Sequence, residues 1–161
     1  MLYAQTGKAL LVSREAHGEQ TRRNGMELYY KHTGRVADEV HRYHGSIDAI
    51  NAAFLHDVLE DTDYPVADLD RLFSARTMAL VRLLTKQPGD TDAVYQSRIL
   101  ESGDYELMLI KFCDLTDNLM LDFRFLWEGW EERQQVYLSF RAALAKRLSA
   151  LGTHLEKDHG L

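Results

Sequence analysis

Cysteine is almost missing from this chain: Cys113 stands alone among 161 residues. An internal disulfide is excluded, and no set of thiolates is available to hold a metal. Proline is nearly as scarce, with only Pro65 and Pro88. Long stretches without turn signals point to an all-α fold. No run approaches the ~20 apolar residues of a membrane span, and the N-terminus lacks the charged-then-apolar layout of a signal peptide. Repeats and low-complexity tracts are absent. With a reducing compartment implied by the lone thiol, the expected setting is cytoplasmic, with no membrane partner. Positive charge is also short: the formal net charge is −6, which argues against a surface that coats nucleic acid. What remains is a chain that is 45% hydrophobic and 27% charged, the composition of one globular domain with a sizeable core. That domain is expected over residues 1–152, followed by a flexible tail over 153–161.

The most informative stretch runs from Ser46 to Thr62. Ser46 suits a helix N-cap, and Asp48 suits the positive end of the helix dipole. Ala49, Ile50, Ala52, Ala53, Phe54, Leu55, Val58 and Leu59 are apolar nearly all round, which predicts a buried helix continuing to about Asp61. At about 100° per residue, His56, Glu60, Asp57 and Asp61 fall near 0°, 40°, 100° and 140° of the wheel. Four titratable groups thus share one side of a greasy helix. Burying adjacent carboxylates without compensation is costly, and a metal ion is the largest compensating charge available.

Elsewhere the periodicity predicts a first helix from Leu2 to Gly18, with Leu2, Ala9, Leu10, Val12 and Ala16 on its apolar side. A polar loop follows, Glu19 to Gly25, whose Arg22–Arg23 pair reads either as a solvated turn or as a phosphate clamp. A second helix, Leu28 to Tyr43, turns His32 inward with Tyr29, Val36 and Val40; by itself such a histidine is either a hydrogen-bonded core residue or a ligand. Short helices are expected from Pro65 to Leu72, Ser74 to Leu84 and Asp92 to Leu100. Tyr105 to Leu121 is a second strongly apolar helix, interrupted by Lys111, Asp114, Asp117 and Asn118. Cys113 within it reads as an inert core thiol. An aromatic segment, Phe123 to Trp130, reads as packing and leads into a last helix from Glu131 to Leu151.

Together, His32, His56, Asp57 and Asp114 offer two imidazoles and two carboxylates to one divalent ion. Such mixed nitrogen and oxygen donors suit manganese, iron or zinc.

These residues carry a family resemblance. His32, His56-Asp57 and the distant Asp114 resemble the H…HD…D signature of HD-domain phosphohydrolases. Ala53-Phe54-Leu55-His56-Asp57-Val58-Leu59-Glu60-Asp61-Thr62 resembles the A-x-L-H-D-x-x-E-D-T motif of RelA/SpoT-type alarmone hydrolases. Lys111-Phe112-Cys113-Asp114, followed by Asn118-Leu119, is similar to their V-K-x-A-D-x-x-x-N-L/M segment. The stretch from Ala16 to Arg22 resembles their arginine-bearing start, and Glu128-Gly129-Trp130 with Arg133 and Tyr137 resembles the ending of their small stand-alone members. Two departures touch the rim: Glu27 to Thr33 lacks the prolines the family carries around its first histidine, and Leu115 replaces a residue commonly basic.

The resemblance implies an HD-domain helical bundle with a buried metal site. It implies hydrolysis of the 3′-pyrophosphate of ppGpp or pppGpp by a hydrolase standing alone, with one Mn²⁺ as cofactor and a small nucleotide as partner. The metal ligands would be His32, His56, Asp57 and Asp114. Glu60 and Asp61 would orient water and move protons. Arg22, Arg23 and Lys86 would hold phosphates, and Asn118, Arg133 and Tyr137 would line the nucleotide pocket. A related HD phosphohydrolase acting on (p)ppApp or NADPH is the alternative.

Overall fold

The computed structural model describes residues 2–22, 25–120 and 128–152. Over that range the chain forms nine helices: α1 (Leu2–His17), α2 (Tyr29–Arg42), α3 (Ile47–Leu55), α4 (Val58–Asp61), α5 (Val66–Leu72), α6 (Ala75–Leu84), α7 (Asp92–Leu100), α8 (Tyr105–Met120) and α9 (Trp130–Ala150). No strand occurs among the described residues; a lone antiparallel bridge joins Thr21 to Leu28. None of the described helices is long and apolar enough to cross a membrane. Arg23, the segment Phe123–Trp127 and the tail expected at 153–161 lie outside the described residues.

Local chemistry accounts for the helix starts. The Ser46 hydroxyl accepts the Ala49 N–H at 3.2 Å, Ser74 caps α6 through the Thr77 N–H at 3.0 Å, and Thr91 caps α7 through the Val94 N–H at 3.2 Å. The turn between α2 and α3 is tight. Its Gly45 packs so closely that a Cβ would lie 2.6 Å from Val40 Cγ1 and 3.0 Å from the Val40 carbonyl oxygen, a space only glycine fits.

The two apolar helices form the centre. α3 packs against α1, α2, α6 and α8, and α8 against α2, α3, α6, α7 and α9. Ala52, Ala53 and Leu55 of α3 and Leu107, Leu109 and Ile110 of α8 are fully buried. Each buried leucine or isoleucine stabilises the fold by about 1.5–3 kcal/mol relative to an exposed one. Because these helices are apolar on most sides, every flank must be covered, and the other helices form that cover. A buried hydrogen bond between Ser13 and Thr33 hydroxyls, 2.9 Å long, ties α1 to α2.

Two expectations are corrected. On α1 the inward face is Ala9, Val12, Ser13 and His17, whereas Leu10 is 37% exposed; that stripe of four is spaced 3, 1 and 4 apart, and Leu10 falls beside it. The helix expected from Ser46 to Asp61 breaks at His56–Asp57, giving α3 and the single turn α4. There the His56 ring donates to the Ala53 carbonyl at 2.7 Å, a local bond that competes with the regular ladder, and Asp57 relaxes to φ −101°, ψ −5°. On a continuous helix the two side chains would diverge by about 100°. The break lets them converge.

Candidate metal centre and nucleotide cleft

Three helical segments bring the four foreseen groups together. His32 comes from the first turns of α2, His56 and Asp57 from the α3–α4 break, and Asp114 from the middle of α8. His32 Nε2 lies 3.2 Å from Asp114 Oδ1 and 3.7 Å from Asp57 Oδ2. His56 Nε2 lies 3.0 Å from Asp57 Oδ2 and 3.6 Å from Asp114 Oδ1. Donor atoms about 2.1 Å from a common ion are roughly 3.0 Å apart at right angles and 3.4 Å apart in a tetrahedron. The observed spacings bracket those values. His32, His56 and Asp57 also form a group whose ligand atoms all lie within 4.8 Å of one another.

Tautomers follow from the outer partners. A carbonyl and a carboxylate only accept, so Nδ1 of His56 donates to the Ala53 carbonyl at 2.7 Å and Nδ1 of His32 donates to Asp117 Oδ2 at 2.6 Å. In its neutral form each ring therefore turns an Nε2 lone pair toward the cluster. His56 Nε2 is buried and makes no hydrogen bond, an orphan that a divalent cation would satisfy.

The electrostatics agree. Burial opposes a charge on His56, yet Asp57 and Asp114 outweigh it and lift its pKa well above the usual value. Burial would likewise raise the Asp57 carboxyl, but His56 beside it pulls it far down. Asp114 is held well below the carboxylate range against its burial, by Lys111 first and then by both histidines. Two neighbouring carboxylates that stay ionised at the floor of a cleft create a demand for positive charge.

Above the cluster lies a cavity of about 380 Å³ whose walls include Arg22, Tyr29, Asp57, Glu60, Asp61, Lys111, Asp114, Asn118, Trp130 and Tyr137. A second of about 170 Å³, lined by Lys86, Asp92, Arg133 and Phe140 among others, shares Asp57, Glu60, Lys111 and Tyr137 with the first. The combined cleft falls in the size range of small-molecule sites. Burial raises the pKa values of Glu60 and Asp61, with the Asp57 charge adding to both; the Lys86 N–H, 2.8 Å from Glu60 Oε2, draws Glu60 partly back.

Of the expected rim residues, Arg22, Lys86, Asn118, Arg133 and Tyr137 line this cleft, and Arg23 lies outside the described residues. Buried Arg22 donates from Nη2 to Asn118 Oδ1 at 2.6 Å, and Asn118 Nδ2 donates to Asp114 Oδ1 at 2.7 Å. Lys86 Nζ and Arg133 Nη1 both meet Asp92, at 2.8 and 3.0 Å. The Arg133 guanidinium lies 5.9 Å from the centre of the Tyr137 ring. Leu115 is buried and lines the smaller cavity.

Other contributors were not assigned from the sequence. Tyr29 donates its hydroxyl to Asp57 Oδ2 at 2.8 Å while its ring stacks on His17 at 4.7 Å. Lys111 donates to Asp114 Oδ2 at 2.7 Å, three residues along the same helix face, a spacing legible in advance. The Arg133 contact of Asp92, which also meets nearby Lys86, and the Asp117 contact to His32 join residues 41 and 85 positions apart, and no local signal announces them.

Among the described residues, an all-helical bundle converges such a donor set beneath a cleft lined by both acids and bases, an HD-type arrangement that could hold a metal. Similarity narrows the class further. No family model matches the chain. The guanosine-3′,5′-bis(diphosphate) 3′-pyrophosphohydrolase of Aquifex aeolicus is 32% identical over 151 residues, which are 88% of this chain and 21% of that protein. The bifunctional (p)ppGpp synthase/hydrolase SpoT of Escherichia coli is 31% identical over 121 residues, 70% of this chain and 17% of its own length. The chain thus spans about a fifth of these bacterial relatives. The pyrophosphohydrolase MESH1 of Danio rerio is 26% identical, with 83% of this chain and 72% of that protein covered. A solved metazoan SpoT orthologue, described as hydrolysing ppGpp, superposes with a TM-score of 0.74 at 26% identity, over 94% of this chain and 88% of its own. In sequence and in fold the chain is thus similar to SpoT-type (p)ppGpp hydrolases.

Proposed function

We propose that this chain is a metal-dependent 3′-pyrophosphohydrolase of guanosine alarmones, converting ppGpp or pppGpp and water into GDP or GTP and pyrophosphate, within one domain over residues 1–152. The observation that carries this reading is the convergence of His32, His56, Asp57 and Asp114 below a cleft bordered by Arg22, Lys86, Lys111 and Arg133. Of the ions that suit mixed imidazole and carboxylate donors, Mn²⁺ is the proposed one. Bound there, a divalent ion supplies the positive charge that polarises a phosphoryl oxygen and makes water more acidic.

The protein's own groups do the rest. Arg22, with its guanidinium fork, holds the 3′-pyrophosphate oxygens; Arg23 is a second candidate for that contact. Lys86 and Arg133 draw the 5′-phosphates toward the smaller cavity, and Asn118 and Tyr137 border the nucleoside. As water adds to phosphorus, Glu60 or Asp61 takes its proton, the phosphorus–O3′ bond breaks, and the proton returns to the 3′-oxygen. A carboxyl whose pKa burial raises suits both halves of that transfer.

The test is release of pyrophosphate from ppGpp by purified protein with and without Mn²⁺, alongside His56→Ala and Asp57→Asn, with ppApp and NADPH as competing substrates. The expected result is Mn²⁺-dependent turnover of ppGpp that both substitutions abolish. Absence of turnover by the metal-loaded wild type would reject the reading.

A further inference from the structure

The two imidazoles of the cluster are held by different means. His56 leans on a backbone carbonyl of its own helix, whereas His32 leans on a side chain from another element, the carboxylate of Asp117 on α8. A side chain can rotate away, so something must hold it. Arg35, one turn beyond His32 on α2, donates from Nε to Asp117 Oδ1 at 2.5 Å and from Nη2 to Oδ2 at 3.0 Å. The same guanidinium donates to both oxygens of Glu27, at 2.5 and 2.9 Å. Arg22 Nη1 stands 3.9 Å from Asp117 Oδ2 on the other side. The Asp117 side chain is 9% exposed, Arg35 41%, so the relay runs from the buried imidazole outward to the surface.

We propose that Asp117 is the positioning residue for His32, and that Arg35, clamped by Glu27, locks the Asp117 carboxylate in the orientation that turns His32 Nε2 toward Asp57 and Asp114. The proposal rests on reading that cluster as a metal site. A carboxylate accepting from Nδ1 fixes the tautomer and the plane of the ring and raises its basicity as a ligand, and removing such a partner weakens metal binding by about tenfold to a hundredfold. A plain ion-pair staple between α2 and α8 would affect folding stability and leave affinity for an ion untouched. The two roles separate in measurement.

Co²⁺ serves as the probe: titration of metal-free protein by calorimetry and by the visible absorption of the bound ion, on wild type, Asp117→Asn, Asp117→Glu and Arg35→Gln, with Arg76→Gln as a distant ion-pair control. Asp117→Asn is expected to lose about tenfold to a hundredfold in Co²⁺ affinity with a changed absorption spectrum, and Asp117→Glu to recover part of the loss. Arg35→Gln is expected to lose less in the same direction, and the double variant Asp117→Asn/Arg35→Gln to be no weaker than Asp117→Asn alone, because Arg35 acts through Asp117. Affinities within twofold of wild type for Asp117→Asn, whatever its thermal stability, would overturn the proposal. If Asp117→Asn does not fold, an Arg35→Gln protein with wild-type affinity overturns it instead. A wild type that binds neither Co²⁺ nor Mn²⁺ would remove the metal reading itself, a failure distinct from unchanged affinity in the variants.

Discussion

The turn that carries α2 into α3 sets how His32 meets His56, and two glycines, one in that turn and one inside α2, should respond to alanine with opposite signs. At Gly45 an added Cβ would sit 2.6 Å from Val40 Cγ1 and 3.0 Å from the Val40 carbonyl oxygen. Val40 is fully buried, so its methyl has nowhere to turn, and the Gly45 N–H is bonded to that same carbonyl at 2.9 Å. Relief requires moving α3 away from α2, and overpacking of this kind costs about 1–3 kcal/mol. For a domain of this size that is a fall in Tm of roughly 2–12 °C. Gly34, inside α2, has nothing within 4 Å of its would-be Cβ. Alanine there recovers the helix propensity glycine forfeits, about 0.5–1 kcal/mol, or roughly 1–4 °C. Scanning calorimetry of Gly34→Ala, Gly45→Ala and wild type at one pH and salt reads both signs. Because α2 carries His32 and His56 directly follows α3, Gly45→Ala should also weaken metal binding while Gly34→Ala leaves it alone. Equal or greater stability for Gly45→Ala would refute the close approach, and with it the account of how the two histidines are brought to ring centres 5.3 Å apart.

Acid sensitivity offers a check on the α6–α8 junction. Arg76 donates to Asp104 at 2.6 and 2.8 Å, and this pairing, with the Leu107 and Glu106 N–H groups, lowers the Asp104 pKa below 3.8. A lowered folded pKa means the contribution is complete above the unfolded value and disappears as pH falls through the folded one. Arg76→Ala should therefore cost about 0.2–1 kcal/mol at pH 7 and a smaller amount near pH 3; an equal loss at both would contradict the pairing. Cys113 is 1% exposed and burial pushes its thiol up, so a thiol reagent at pH 8 should label it only at the rate of unfolding. Fast labelling of native protein would show that the core of α8 opens.

Much of this molecule was legible in its residues because helices obey local rules. The 3.6-residue period, the Ser46 cap and the all-round apolar character of the α3 and α8 stretches are properties of short windows. His56, Asp57 and Asp114 stood out for a related reason, since polar groups in greasy helices need a partner; His32 stood out only as an inward histidine, open by itself between core residue and ligand. The break at His56–Asp57 did not stand out, because it replaces a regular helix bond with a side-chain bond to the Ala53 carbonyl. A wheel drawn for a continuous helix cannot contain it. The Arg35 relay was equally invisible, since Arg35 lies 82 positions from Asp117, and charged residues on two helices become a pair only when packing brings those faces together.

Residue order therefore determined the helices, the greasy faces and the four candidate donors, all matters read within a few turns of chain. Tertiary structure alone decided that those groups meet at spacings of 3.0 to 3.7 Å, which outer groups the imidazoles meet, and where the cleft opens. Those are distances between segments far apart along the chain, and they exist only once the apolar faces have chosen their neighbours.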